Sequence, residues 1–109
     1  MKSFINREPP SATTNLAPPE TLRQRAQRLG QNWKIVNDLC LEKEFKFPDF
    51  CHAMEFTRRV GEIAEEENHH PDIYLSYGLV RIHISTHESN SLTAEDFNLA
   101  ARIDQMDAA

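Results

Sequence analysis

Four of the chain's five histidines, His69, His70, His83 and His87, fall within nineteen consecutive positions. Histidine, with an ordinary pKa of about 6.5, both gives and takes a proton near neutrality, so such a cluster points to general acid/base chemistry. His69 and His70 straddle the end of one predicted helix and His87 closes a predicted strand, so the three converge if helix and strand pack together. Glu65 lies four residues before His69 on the same helical face, where it can orient that imidazole by a hydrogen bond. Spacing alone leaves a second reading open, in which these are surface and helix-capping histidines favoured by the macrodipole. Three imidazoles and a carboxylate are also a zinc ligand set. The grammar of a zinc helix, however, places its ligands at i and i+4, whereas adjacent helical residues point about 100° apart; no metal is expected. The run Glu65-Glu66-Glu67 reads as a solvated face, and His52 as a solvated or packed side chain. Gly30, Gly61 and Gly78 are isolated, so there is no phosphate-cradling loop, and no GxSxG or Cys-His signature of a covalent nucleophile occurs. Ser85, Thr86 and Ser89 read as hydrogen-bond donors.

The elements that must position these residues follow from the periodicity. Pro9, Pro10, Pro18 and Pro19, set among small polar residues, make residues 1–17 a flexible tail ahead of a domain over 18–109. Leu22, Ala26 and Leu29, with Pro19 at the entry and Gly30 at the exit, predict a short helix over 19–29. Trp33 to Val36 and Leu39 to Leu41 are β-like, and Phe45 and Phe47 alternate with Glu44 and Lys46, which together predict a hairpin. Pro48-Asp49 opens the strongest helix, whose core stripe is Phe50, Ala53, Met54, Phe56, Val60, Ile63 and Ala64. Pro71 stops it near Asn68 or His69. Two strands follow, Ile73 to Tyr77 and Leu79 to Thr86, turning at Gly78. Val80, Ile82, Ile84 and Thr86 share one face of the second; Arg81, His83 and Ser85 share the other. Thr93 as N-cap, Asp96 at the capping-box position and Leu92 with Phe97 as a hydrophobic staple start a last helix, with Leu99, Ala100, Ile103 and Met106 on its buried stripe. The order α-β-β-α-β-β-α, without long crossovers between paired strands, predicts an α+β fold: a single antiparallel sheet with its helices on one face.

A chain of 109 residues and 12.6 kDa is one domain. Its formal charge of −5 and pI near 5.5 oppose direct binding to nucleic acid. With 39% hydrophobic residues, a mean hydropathy of −0.60 and no apolar run near the roughly 20 residues of a bilayer span, no membrane partner is expected. Met1 to Asn6 lacks a secretory apolar stretch, so a cytoplasmic location is expected, with Cys40 and Cys51 reduced and packed as small core or semi-buried residues.

Glu65-Glu66-Glu67-Asn68-His69-His70-Pro71-Asp72, then Tyr77, Val80 and Ser85-Thr86-His87-Glu88, resembles the pterin-4a-carbinolamine dehydratases. The likeness runs on through Leu92 to Asp96, Asn98 to Ala100 and Ile103, and upstream to Trp33, Phe45, Phe47, Phe50, Ala53, Phe56 and Val60, covering about 20–107. The resemblance implies a four-stranded antiparallel sheet with three helices, and homodimers that pair into homotetramers. It implies a hydro-lyase, 4a-hydroxytetrahydrobiopterin dehydratase, that yields quinonoid dihydropterin and water without metal or cofactor, in tetrahydrobiopterin recycling. Carried over by position, His69, His70 and His87 are the catalytic histidines, with His69 and His87 as acid and base and His70 binding and orienting. Glu65, Pro71, Thr86, Glu88 and Ser89 join them in lining the pterin pocket, where a carboxylate holds the guanidine-like edge of the ring. The same resemblance carries an alternative, a protein-binding or dimerisation module like a transcriptional coactivator, or a place in molybdopterin-related metabolism. Ser89-Asn90-Ser91 stands where the family commonly has a glycine-containing turn, Ile73 where an aromatic is frequent, and Asn68 where an acid sometimes occurs.

Overall fold

Alternating burial along β4 (Leu79–Ser85), matched on β2 (Cys40–Lys46) by inward-facing Leu41, Lys43 and Phe45, builds the centre of a four-stranded antiparallel sheet, ordered β1 (Lys34–Val36), β2, β4, β3 (Asp72–Ser76). The computed structural model describes residues 24, 33–86 and 91–108. In register, Leu41 faces Ile84, Lys43 faces Ile82 and Phe45 faces Val80. Leu41, Val80, Ile82 and Ile84 are wholly buried. The short β1 (Lys34–Val36) joins β2 through Asn37 and Asp38, both left-handed at φ 55° and 57°, with Leu39 N–H donating to Val36 O at 3.0 Å. Asn and Asp are the non-glycine residues that best tolerate this backbone. On the other side, β3 (Asp72–Ser76) pairs with β4 across a tight turn at Tyr77-Gly78. A side chain at Gly78 would bring its Cβ to 2.9 Å from the Phe47 carbonyl oxygen, so a glycine is needed for the close approach.

Helices α1 (Phe50–Glu67) and α2 (Ala94–Ala108) cover one face of this sheet. Ala53, Phe56, Val60 and Ile63 from α1 and Phe97, Leu99, Ala100 and Ile103 from α2 form one core with the inward strand residues. An aromatic series runs along one end, with ring centroids of Phe45 and Phe56 4.7 Å apart, and of Phe47 and Phe56 4.9 Å apart. Two residues of the expected α1 stripe leave the core, because Phe50 and Met54 are 45% and 48% exposed. Phe50 is the first helical residue, and Met54 follows buried Ala53 by about 100° around the helix. The opposite sheet face carries Glu42, Glu44, Arg81, His83 and Tyr74.

The expected layout of three helices in the order α-β-β-α-β-β-α is corrected: the described residues form β-β-α-β-β-α, with two helices. The stretch 19–29, Gln24 apart, lies outside the described residues, as does the expected tail over 1–17. No helix among the described residues is long and apolar enough to cross a membrane.

Candidate active site

Helix α1 ends on Asn68, which adopts the left-handed conformation (φ 53°, ψ 41°) and donates its N–H to the carbonyls of Ala64 and Glu65. His69 N–H donates to Ala64 O at 3.1 Å. This C-cap releases the chain from the helix, and Pro71 keeps it from resuming. His69 and His70 therefore take different surroundings. His69 Nε2 lies 2.6 Å from Asp96 Oδ1, with the histidine side chain 13% exposed and the aspartate 0%. His70 turns outward, and its Nε2 pairs with Glu65 Oε2 on the surface. Glu65 thus serves His70, not His69 as the helical spacing predicts, because His69 is no longer helical.

Asp96 is the buried charged residue among those described. Taking a carboxylate out of water is costly unless its oxygens are hydrogen-bonded. Here Thr93 N–H and Thr86 Oγ1 both donate to Oδ2 at 2.8 Å, and Oδ1 is left for His69. The Thr93 N–H contact is the return bond of a capping box, and the α2 N-terminus favours negative charge. An acceptor-only carboxylate assigns the hydrogen to His69 Nε2, so the neutral ring carries its lone pair on Nδ1. Such an imidazole takes a proton at Nδ1 and, once charged, gives one back from the same atom.

The other candidates divide. Thr86 belongs to this network through its hydroxyl, while Pro71 is partly buried at the exit of the α1 cap. His87, Glu88 and Ser89 lie outside the described residues. His83 is not part of the cluster; alternating with Ile82 and Ile84, it faces the opposite side of the sheet, where Nδ1 sits 3.2 Å from Glu42 Oε2. His52 is exposed and paired with Asp49 at the α1 N-terminus. Cys40 is buried, whereas Cys51 is exposed, against the expectation for it. Burial pushes the Cys40 thiol up, with Glu42 adding to the shift. Among the described residues no group of three or more His, Cys, Asp or Glu side chains is arranged to hold a metal ion.

The family pattern described as pterin 4 alpha carbinolamine dehydratase matches residues 15–106. The chain belongs to that family. Relatives named, provisionally, pterin-4-alpha-carbinolamine dehydratase include one from Alkaliphilus metalliredigens, 41% identical over 86 residues, covering 79% of this chain and 78% of the relative. One from Rickettsia bellii is 47% identical over 75 residues, covering 68% and 66%. Among solved structures, a transcriptional coactivator/pterin dehydratase from Brucella melitensis superposes with a TM-score of 0.71 at 27% identity, covering 82% of this chain and 98% of that one. A pterin dehydratase-like protein described as a RuBisCO assembly factor of the alpha-carboxysome shares the fold, at a TM-score of 0.61 and 22% identity, covering 72% and 92%.

Sequence reasoning took Asp96 as a helix cap and missed its hold on His69. A signal was present, since Asp96, Leu99, Ala100 and Ile103 follow the spacing of one helical stripe, and an acid on a buried stripe needs partners.

Proposed function

We propose that this family member is a hydro-lyase that dehydrates 4a-hydroxytetrahydropterins by histidine acid/base catalysis, with His69 and His87 as the catalytic pair. The observation that carries the reading is the His69–Asp96 pair, held by Thr86, the residue immediately before His87 in the chain. In the reaction the C4a–O bond breaks, the N5–H proton leaves, an N5=C4a double bond forms and water departs. One imidazolium that protonates the departing oxygen and one neutral imidazole that takes the N5 proton are sufficient, each contributing about 10²–10⁴-fold. His69 Nδ1 suits either task, with Asp96 holding the ring's other nitrogen. His70, beside Glu65 on the surface, is the binding and orienting histidine in this reading, and Glu65, Pro71, Thr86, Glu88 and Ser89 complete the pterin pocket. The same reading places the reaction in tetrahydrobiopterin recycling, in the cytoplasm, in a homodimer or homotetramer.

The test is dehydration of freshly generated 4a-hydroxytetrahydrobiopterin, measured against the buffer rate. Wild type accelerates it, and His69→Ala and His87→Ala each lower the catalysed rate at least about tenfold with unchanged circular dichroism. Variants that match wild type would remove the assignment. The coactivator name of the Brucella melitensis structure supports a second reading, a protein-binding role; binding partners recovered equally by wild type and a His69→Ala, His87→Ala double variant would favour it.

A further inference from the structure

Thr93 stands at the start of α2 with three contacts into the candidate site. Its N–H donates to Asp96 Oδ2 at 2.8 Å, its hydroxyl lies 3.0 Å from Thr86 Oγ1, and the same hydroxyl is 3.4 Å from Asp96 Oδ2. The Thr93 hydroxyl can donate to Asp96 Oδ2 at 3.4 Å or to Thr86 Oγ1 at 3.0 Å, and the shorter contact decides the allotment. Asp96 accepts, so Thr86 donates to Oδ2 at 2.8 Å, and Thr93 in turn donates to Thr86. A directed chain then runs from Thr93 through Thr86 to Oδ2, while Oδ1 faces His69.

The last torsion of an aspartate is broad, so burial alone does not fix which oxygen faces the imidazole or at what angle. The donors gathered on Oδ2 supply that restraint. We infer that Thr93 is a positioning residue, whose hydroxyl, acting through Thr86, locks the rotation of the Asp96 carboxylate and thereby holds His69 in the tautomer that leaves Nδ1 free. Thr93 does not touch the reacting atoms; it acts through two other side chains. A cap residue of α2 in this way sets the orientation of a histidine on the far side of the helix junction. The consequence for rate rests on the proposed dehydratase reading, whereas the consequence for the His69 ring does not.

Two substitutions separate positioning from capping. Glycine caps a helix nearly as well as threonine but has no hydroxyl, while serine keeps both properties. In Thr93→Gly the dehydration kcat should fall about three- to tenfold, the size of one lost hydrogen bond, with KM within about twofold. Thr93→Ser should restore it to within about twofold of wild type. Independently of activity, the ring-nitrogen NMR shifts of His69 should report a proton fixed on Nε2 in wild type and Thr93→Ser, and averaging over both nitrogens in Thr93→Gly. Unchanged His69 shifts in a folded Thr93→Gly variant would overturn the inference. A wild type with no activity but with the expected shifts would overturn the dehydratase reading and leave the positioning role standing. Should Thr93→Gly fail to fold, Thr86→Val, which breaks the same chain one link nearer to Asp96, gives the same readout, and unchanged His69 shifts there overturn the inference equally.

Discussion

The indole nitrogen of Trp33 donates a 2.8 Å hydrogen bond to Asp104 Oδ2, joining residues 71 positions apart. The other oxygen of Asp104 lies 2.8 Å from Lys43 Nζ, and that ammonium sits 4.8 Å over the Phe45 ring. Lys43 occupies a core-facing position of β2, opposite Ile82, with its side chain 13% exposed. One carboxylate on α2 thus compensates a lysine that points under the sheet, and also satisfies a buried indole. Asp104→Ala leaves both donors without that partner and should cost about 2–4 kcal/mol. The melting temperature should drop by roughly 8 °C or more, and Asp104→Asn, which can still accept from Trp33, should fall in between. A melting temperature within about 2 °C of wild type for the alanine variant would show that this junction contributes little.

Asn68 occupies left-handed backbone at the end of α1. Alanine pays a steric penalty of about 1–2 kcal/mol there and glycine none. Asn68→Ala should lower the urea midpoint, and Asn68→Gly should match wild type or exceed it. Equal midpoints for the two variants would contradict the cap geometry.

Asp49 caps α1, and the His52 N–H donating to its Oδ1 at 2.9 Å holds the carboxyl below the usual aspartate range, the His52 side chain adding to the effect. A depressed folded-state value means that the stabilisation is present above the unfolded value of about 3.9 and is lost as pH falls through the folded one. Asp49→Ala should therefore melt below wild type at pH 7, with the gap closing toward about pH 2. A gap independent of pH would place the effect elsewhere than in this carboxylate.

The two thiols should separate by reactivity. Cys51 is exposed, whereas Cys40 is buried with its thiolate disfavoured. Native protein should take up iodoacetamide rapidly at one cysteine, identified as Cys51 by peptide mass, and at both after unfolding. Rapid native labelling of Cys40 would mean that the β2 end opens readily.

Local signals carried much of the architecture. Pro48-Asp49 and the Asn68 to Pro71 stretch bound α1 because caps and prolines act on their immediate neighbours, and the alternation in 79–85 is a property of one strand. The contact of Asp96 with the Thr93 N–H at the start of α2 was legible for the same reason. What escaped was set by packing between distant residues. His69 and Asp96 are 27 positions apart, and nothing local says that the α1 C-cap and the α2 N-terminus meet. Density of one residue type counted His83 with the other histidines, whereas the alternation along 79–85 already set it on the other face, where the structure has it. Periodicity misled at Met54, where an apolar residue sits beside the stripe instead of on it.

The left-handed turn at Asn68 also decides how the two neighbouring histidines respond to ionic strength. His70 and Glu65 are both well exposed, at 57% and 76%, and dissolved ions screen such a pair over a Debye length of about 8–10 Å in ordinary buffers. The His69–Asp96 pair is largely buried, and buried pairs are screened much less. Added salt therefore weakens the grip on one imidazole and spares the next, so adjacent residues of the same type become separable by the composition of the solvent.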